Sequence, residues 1–318
     1  MDLTNQFIRR FSRRDLRMFM TVVEQGNLAK AATRLSISRP VVSKSISHLE
    51  RTLGVRLLDR SPQGVELTAF GRALLKRSVV VFDELRQSVR EIKFLADPTA
   101  GELRIGASEY MAAGLVPAII DRLSRTNPNL QFKLELADAI ERLRERDVEF
   151  VITRLLSQEL DGDLDAEPLF HEKVFVAASP SNKWVRRRRV QLEDLVREPW
   201  ILAPPKIVEG SPIVEAFRAK GLTMPQTTVL GLSLPLRNGL LAAGRFLTIV
   251  PGSVLKFGAE RTLLKTLPVA LPAWRLPVAI ITLKNRTLSP LANLFIEQVR
   301  EFAKPLAGRK HSRQGNRR

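Results

Sequence analysis

The sequence predicts an α/β protein that carries a basic, all-helical and winged N-terminal domain. Residues from about 14 to 67 have the pattern of short helices with tight turns, and residues 69–95 that of one long helix. From Glu102 onward, strand-like and helical segments alternate in two similar series. This alternation is typical of a largely parallel sheet with helices on its faces. The chain of 318 residues is long enough for two or three domains.

The net charge of +18 is unevenly distributed along the chain. Residues 1–100 contribute +8, residues 101–303 contribute +4 and residues 304–318 contribute +6. The run Arg186–Arg189 equals the whole surplus of the middle region. A basic N-terminal module favours a polyanionic partner, most simply nucleic acid. A solvated basic surface explains the same charge and stays open at this point.

The sequence lacks the usual markers of a membrane, secreted or catalytic protein. No uninterrupted apolar stretch approaches the roughly 20 residues of a membrane span, and the N-terminus has no secretory signal pattern. There is no cysteine, and three histidines form no metal-ligand pattern. We therefore predict a cytoplasmic protein with no catalytic residue, no metal and no cofactor. A solute-binding component of a transporter remains an alternative, because the α/β half would suit it.

Two short helical patterns meet within Leu28–Glu50, with only a Ser-Ile-Ser step between them. Asn27 and Ser38 can cap them. The second has an apolar side formed by Val42, Ile46 and Leu49, whose i, i+4, i+7 spacing predicts burial.

The opposite side of the second helix carries side chains that can bond base edges and phosphates. These residues are Arg39, Pro40, Ser43, Lys44 and Ser47. This is the pattern of a helix-turn-helix, although an ordinary helical hairpin with a solvated polar face would also fit. A possible short hairpin around Pro62-Gln63-Gly64, flanked by Arg60, would add a wing whose tip reaches the DNA backbone or minor groove.

The long helix has a predicted dimerisation seam. Thr68 can cap it, and Ser78 is the weak point of its heptad pattern. The seam residues are Leu75, Phe82, Leu85, Val89 and Ile92. An amphipathic helix packed on its own domain is the alternative. A two-fold dimer of helix-turn-helix units implies an inverted-repeat operator.

Residues 14–72 resemble the DNA-binding domain of LysR-type transcriptional regulators. The matching residues are Leu16, Phe19, Val22–Leu28, Ala31, Ala32, Leu35, Ser38–Pro40, Ser43, Leu49, Glu50, Leu53, Gly54, Leu57, Arg60, Leu67, Thr68 and Gly71. Three positions depart from the family pattern: Arg39 replaces Gln, Leu58 replaces Phe and Asn27 replaces Ser. Arg39 leaves the base preference open, since Arg favours guanine and Gln favours adenine.

The resemblance implies a sequence-specific regulator with a periplasmic-binding-protein-like effector domain of two α/β subdomains. It also implies homodimers that pair into tetramers, with RNA polymerase as a further candidate partner. We predict a winged domain over residues 1–68, a linker helix over 69–97, an effector domain over 101–305 and a disordered basic tail over 306–318. Within the effector domain, subdomain I takes residues 101–175 and 276–305, and subdomain II residues 176–275. Asn27 and Arg60 would hold the DNA backbone.

In such a domain a ligand binds in the crevice where strands end and loops present polar groups. The predicted effector-binding residues are Ser108, Glu109, Tyr110, Arg154, Pro204 and Ser233, with Lys206 and Arg237 as further candidates. A carboxylate side chain at Glu109 would repel a ligand carboxylate. We therefore expect a hydroxylated effector, such as a sugar, over a simple aromatic acid.

Overall fold

The computed structural model divides the chain into two compact units, Met1–Ser88 and Val89–Arg318. It describes residues 12–61, 64–155, 157–203, 211–225, 227–231, 233–272 and 277–307, with residues 227 and 228 as backbone only. Among these residues, no helix is long and apolar enough to cross a membrane. Pro204, Lys206 and most of the predicted tail lie outside the described residues.

The first unit is a three-helix domain with an antiparallel hairpin. Helices α1, α2 and α3 span Arg13–Gln25, Leu28–Leu35 and Arg39–Leu53. Strands β1 and β2 span Leu58–Ser61 and Gly64–Leu67, and they pair in the register of a hairpin. The predicted helix-turn-helix and wing are therefore both present.

Local side-chain hydrogen bonds begin the helices. Oδ1 of Asn27 accepts a hydrogen bond from the N–H of Ala29 at 2.7 Å, so the predicted cap of α2 is confirmed. Ser38 holds the cap position of α3, but its side chain accepts no cap hydrogen bond. Pro40, in the first turn, has no N–H that needs a partner. Ser36 ends α2 in the left-handed region with φ of 56°, which turns the chain sharply into α3.

The apolar sides of the three helices meet in one core. Phe19, Val22, Ala31 and Ile46 are buried there. The wing is joined to the helices by a backbone hydrogen bond. The N–H of Val65 donates to the carbonyl of Gly26, which follows α1, at 3.0 Å. The side of α3 that faces away from the core is left available.

Helix α4 spans Ala69–Ala96 and is the predicted long helix. Oγ1 of Thr68 accepts a hydrogen bond from the N–H of Gly71 at 3.0 Å, which confirms the predicted cap. The boundary between the two units falls within α4, after Ser88.

The second unit contains two five-stranded sheets. In the first, the order is β4-β3-β5-β12-β6. These strands are β3 (Ala100–Ala107), β4 (Asn129–Glu135), β5 (Phe150–Arg154), β6 (Leu164–Phe170) and β12 (Val278–Leu283). Strand β3 is parallel to β4 and β5, whereas β12 is antiparallel to β5 and β6. The carboxyl ends of β3 and β5 thus lie at one edge of this sheet.

The second sheet has the order β11-β7-β10-β8-β9. Its strands are β7 (Val174–Ala178), β8 (Trp200–Leu202), β9 (Thr227–Leu230), β10 (Leu247–Pro251) and β11 (Lys265–Thr266). Strand β8 is parallel to β9 and β10, and β7 is antiparallel to β10 and β11. The mixed strand directions in both sheets come from the strands that cross between them.

Helices cover the sheets. The first sheet carries α5 (Glu109–Ala113), α6 (Leu115–Thr126), α7 (Ala139–Arg144) and α12 (Pro290–Ala303). The second subdomain carries α8 (Pro212–Ala219), α9 (Leu234–Ala242), α10 (Gly252–Phe257) and α11 (Glu260–Leu263). The chain changes sheets between Phe170 and Val174, slightly before the boundary that the sequence predicted after residue 175.

Candidate DNA-binding surface and effector crevice

The outer side of α3 presents the residues that were predicted to read DNA. Arg39, Pro40 and Lys44 are exposed, and Ser43 and Ser47 are half-buried. The predicted apolar side of the same helix, which includes Val42, Ile46 and Leu49, is fully buried. The helix therefore has one side that packs and one basic, hydroxyl-bearing side that faces solvent.

Polar contacts fasten α3 to its neighbours. Asp15 of α1 accepts a short hydrogen bond from Oγ of Ser45 and lies 3.4 Å from Nδ1 of His48. Near the other end, the carboxylate of Glu50 accepts a hydrogen bond from the N–H of Leu57 at 2.9 Å. These contacts limit how far α3 can rotate, which keeps its outer side in one orientation relative to the wing.

The two residues predicted to hold the DNA backbone both have partners inside the protein. Asn27 uses its side-chain oxygen in the cap of α2, which leaves its amide NH₂ for an external acceptor. Nη2 of Arg60 lies 3.8 Å from Oε2 of Glu50. This ion pair uses only one nitrogen of the guanidinium, and its other N–H groups can still donate to a phosphate. Both remain predictions as DNA contacts.

The five predicted seam residues of α4 fall into two groups. Leu75 packs against the core of the winged domain, and Phe82 is half-buried. The other three are exposed: the exposed fraction of the residue is 44% for Leu85, 52% for Val89 and 67% for Ile92. The C-terminal part of the predicted seam therefore lies open in a single chain.

The crevice residues of subdomain I follow the carboxyl ends of β3 and β5. Ser108 precedes α5, its N–H donates to the carbonyl of Ile152 at 3.1 Å, and its side chain forms no cap. Glu109 and Tyr110 are the first residues of α5, and Arg154 is the last residue of β5. Hydrogen bonding between adjacent parallel strands therefore brings these loops together, as the sequence predicted.

Subdomain II contributes a polar cluster at the start of α9. Ser233 caps this helix, and its hydroxyl accepts a hydrogen bond from the N–H of Leu236 at 3.4 Å. Arg237 is 4% exposed and forms a short ion pair with Glu260 of α11. The side-chain amide of Asn238 donates to the same carboxylate at 3.1 Å.

The cluster reaches across to subdomain I. The guanidinium of Arg237 lies 5.7 Å from the ring centre of Tyr110. Burial raises the pKa of Tyr110, while Arg237 and Arg154 act in the opposite direction. Burial also lowers the pKa of Arg154. The predicted residues Tyr110 and Arg154 are thus brought together with Arg237, which the sequence had offered only as a further candidate.

Sequence reasoning missed Glu260 and Glu172. Glu260 lies far along the chain from Arg237, and no motif signals the pair. Glu172, between the two sheets, is buried and accepts hydrogen bonds from Oγ and N–H of Ser253 at 2.6 and 3.1 Å. Burial raises the pKa of Glu172, and the hydrogen bonds from Ser253 oppose that rise. Both carboxylates link elements that are distant in sequence.

The run Arg186–Arg189 is exposed. Two acidic residues that follow the run in the sequence form ion pairs with other residues: Glu198 with Lys183, and Glu193 with Lys220. The run lies outside the crevice cluster.

Two family models together span most of the chain. The model described as bacterial regulatory helix-turn-helix protein, lysR family, matches residues 13–72. The model described as LysR substrate binding domain matches residues 96–304. This chain belongs to the LysR family. It is therefore a DNA-binding transcriptional regulator, and the alternative of a transporter's solute-binding component is set aside.

Curated relatives of this LysR-type regulator align along nearly their whole length. The transcriptional dual regulator GltC of Bacillus subtilis (strain 168) is 28% identical over 292 residues, which covers 91% of this chain and 96% of GltC. The HTH-type transcriptional regulator TfdS of Cupriavidus pinatubonensis is 30% identical over 295 residues, which covers 90% of this chain and 97% of TfdS.

Solved structures of LysR-type regulators share the fold. Full-length CbnR in complex with its target DNA has a TM-score of 0.52 at 24% identity, covering 92% of this chain and all of that one. ArgP of Mycobacterium tuberculosis has a TM-score of 0.66 at 17% identity, covering 92% of this chain and 97% of ArgP. The predicted fold class, a winged helix-turn-helix joined to a two-subdomain α/β domain, is confirmed.

Proposed function

We propose that this LysR-type regulator reads an inverted-repeat operator with α3 and that a small effector in the crevice controls the binding. The observation that carries the first part is the outer side of α3, where Arg39 and Lys44 are exposed on a helix fastened by Asp15 and Glu50. A fastened helix with basic and hydroxyl side chains suits a major groove.

The regulator would act as a homodimer through α4. Leu85, Val89 and Ile92 expose apolar surface that a second copy of α4 would cover. Two recognition helices related by a two-fold axis would then contact half-sites about 34 Å apart, or a multiple of that distance. Pairs of such dimers would form tetramers, and contact with RNA polymerase in the cytoplasm would follow operator binding.

The experiment is selection of bound duplexes from a random pool by the full-length protein, followed by affinity measurement at two salt concentrations. We expect a symmetric site with a dyad, bound far more tightly than scrambled DNA. Selection of a single half-site without symmetry would contradict the dimeric proposal. Weak binding to every duplex with a steep salt dependence would contradict sequence-specific reading.

Arg39→Gln is the sharpest variant for the reading surface. Arginine bonds guanine and glutamine bonds adenine, each through two hydrogen bonds. We expect the variant to prefer adenine in place of guanine at one position of each half-site. Arg39→Ala is the matched control, since it should lose discrimination at that position without gaining a new preference. An unchanged site in both variants would remove Arg39 from base reading.

The crevice supports the effector part of the proposal. The guanidinium of Arg237 in one subdomain lies over the ring of Tyr110 in the other, and Ser108, Arg154 and Ser233 stand at the ends of strands or the starts of the helices that follow them. A hydroxylated effector such as a sugar remains our prediction. The test is operator affinity in the presence of neutral sugars, sugar acids and simple aromatic acids. A response to aromatic acids alone would contradict it.

A further inference from the structure

The cluster around Tyr110 indicates which chemical group the effector presents. We propose that the crevice binds its effector through a carboxylate, held by Nη1 of Arg237 and the hydroxyl of Tyr110, with Arg154 beside it. This inference rests on the proposed effector control and adds to it the nature of the ligand's anchoring group. This inference departs from the expectation that Glu109, next to Tyr110 in the sequence, repels a ligand carboxylate. A hydroxylated acid would satisfy the inference and would still be a hydroxylated ligand, whereas a neutral sugar would not satisfy the inference.

The first support is the hydrogen bonding of Arg237. Its Nη2 donates to Glu260, and both Nε and Nη2 lie 3.3 Å from the side-chain oxygen of Asn238. Its Nη1 is buried and makes no hydrogen bond of good geometry to a residue that the structure describes, although the guanidinium lies close enough to the Tyr110 hydroxyl to oppose the rise that burial causes in the pKa of Tyr110. A buried N–H of a charged group without an acceptor is costly. A ligand oxygen would supply the missing acceptor.

The second support is where this nitrogen lies. Arg237 belongs to subdomain II, but its guanidinium lies over the ring of Tyr110, which belongs to subdomain I. The guanidinium that carries Nη1 therefore lies where the two subdomains meet, and not in the interior of either one. Tyr110 packs against the buried cores of both subdomains, so a ligand here contacts the surfaces whose arrangement it would have to change.

The third support is the charge around the Tyr110 hydroxyl. Burial raises the pKa of this hydroxyl, the guanidinium groups of Arg237 and Arg154 lower it, and the carboxylate of Glu260 raises it. A carboxylate ligand would be attracted by both cations and would accept hydrogen bonds from a guanidinium and a phenol. Charge-assisted hydrogen bonds of this kind are about twice as strong as neutral ones.

A carboxylate suits these donors better than a hydroxyl does. The guanidinium presents N–H groups in a planar fork that matches two carboxylate oxygens. A neutral hydroxyl would accept one of these hydrogen bonds without balancing the charge. Glu260 already illustrates the preference, because its own carboxylate binds both Arg237 and Asn238 within the cluster.

Tyr110 makes a direct test practical, because it is the only tyrosine in the chain. Full-length protein labelled with ¹³C at the tyrosine ζ carbon gives one ring signal from this position. We would titrate it with acetate and with acetamide, which has the same shape but no charge, at pH 7 and constant ionic strength. Inorganic phosphate is the third probe, since it tests for a general anion site.

Acetate is expected to move the Tyr110 signal along a saturable curve, with half-saturation at roughly 1–100 mM for so small a ligand. Acetamide at the same concentrations should leave the signal unchanged. Arg154→Gln, and the double variant Arg237→Met with Glu260→Met, should weaken acetate binding at least tenfold. The double change removes the buried pair together, so no charge is left without its partner. Arg125→Gln, at an exposed position, is the control and should bind acetate normally.

The inference is overturned if acetate produces no saturable shift, if acetamide matches it, or if phosphate binds more tightly than acetate. Unchanged acetate binding in both crevice variants would also overturn it. Operator affinity of the ligand-free protein, measured on the same samples, separates the two proposals. Intact operator binding without an acetate response defeats only the carboxylate site, whereas loss of operator binding by the unmodified protein defeats the proposed function.

Discussion

Replacement of Gly71 by alanine should destabilise the winged domain without affecting the effector domain. Gly71 lies in the first turn of α4, where the helix leaves the wing. A Cβ atom added there would lie 2.1 Å from the carbonyl oxygen of Leu57 and 2.8 Å from Cδ2 of Leu67. Real Cβ atoms are essentially never found closer than 3.0 Å to such an atom. The first contact is with backbone, so no side-chain rotation relieves it.

The structure gives the size of the effect. The carbonyl of Leu57 would have to move by about 0.9 Å to clear the new methyl group. That carbonyl accepts a hydrogen bond from the N–H of Thr68 at 3.0 Å, and the movement would break it. Loss of one hydrogen bond costs about 1 kcal/mol, and forcing a methyl group into a filled site costs about 1–3 kcal/mol. The free energy of unfolding of this domain should therefore fall by about 2–4 kcal/mol.

Urea unfolding followed by two signals can assign the loss to one domain. All three tryptophans, at positions 184, 200 and 274, belong to the second unit, and residues 1–88 contain neither tryptophan nor tyrosine. Tryptophan fluorescence thus reports on the effector domain, while far-ultraviolet circular dichroism also follows the helices of the winged domain. The Gly71→Ala change should lower the urea midpoint of the dichroism transition of the winged domain by roughly 1–2 M. The fluorescence midpoint should stay unchanged.

Gly239→Ala is the matched control. Gly239 lies in α9, and an added Cβ would meet nothing within 4 Å. Alanine there should stabilise the effector domain by about 0.4–1 kcal/mol, because it restricts the unfolded chain. The reasoning is refuted if Gly71→Ala leaves the dichroism transition in place, or if it moves the fluorescence midpoint as much as the dichroism transition.

Three further predictions concern single side chains. Lys44→Ala should reduce the slope of log affinity against log salt by about 0.9 for each phosphate that Lys44 neutralises, while Lys76→Ala should not; an altered base preference with an unchanged slope would contradict the phosphate role. Asn27→Ala should lower stability by about 1 kcal/mol through loss of the cap of α2, and an unchanged dichroism midpoint would count against it. Arg300 lowers the pKa of Glu167 from 4.5, so this pair stabilises the effector domain above about pH 4.5 and less as the pH falls. Glu167→Gln should flatten that pH dependence of the fluorescence midpoint slightly, since exposed pairs contribute about 1 kcal/mol or less.

The winged domain could be predicted from the sequence because its determinants are local. A cap such as Asn27 acts on residues two or three positions away, and the burial of Val42, Ile46 and Leu49 follows from helical spacing. Ser38 differs from the prediction, because its side chain forms no cap hydrogen bond, and this difference also has a local cause. Pro40 removes one of the N–H groups that a cap would otherwise satisfy.

The seam along α4 shows where spacing alone is ambiguous. Leu75 has the same seven-residue relation to Phe82 as Phe82 has to Val89, but Leu75 packs against the winged domain while Val89 is exposed. A heptad pattern predicts an apolar side and not its partner. Which residues of α4 contact their own domain depends on where the core of that domain ends, and this is a tertiary property.

The crevice could be predicted in outline but not in its chemistry. Strand ends locate Ser108, Tyr110 and Arg154, because adjacent strands of one sheet finish at the same edge. The pairing of Arg237 with Glu260, and of Glu172 with Ser253, joins residues that are far apart in sequence. No local pattern specifies such pairs. The sequence therefore offered Arg154 and Arg237 only as separate candidates, and the expected ligand class was inferred from Glu109 because the proximity of Arg237 to Tyr110 is a tertiary property.

Control by a ligand requires that the two subdomains have more than one arrangement and that the ligand prefers one of them. A carboxylate that bonds to Tyr110 of one subdomain and Arg237 of the other prefers the arrangement in which these two groups are close. Its effect on operator binding cannot exceed this preference, and allosteric couplings are typically about 1–3 kcal/mol, or roughly 5–150-fold in affinity. Because the coupling is reciprocal, operator DNA must change the affinity for the ligand by the same factor. Measuring ligand affinity with and without operator therefore determines the strength of control independently of any transcription assay.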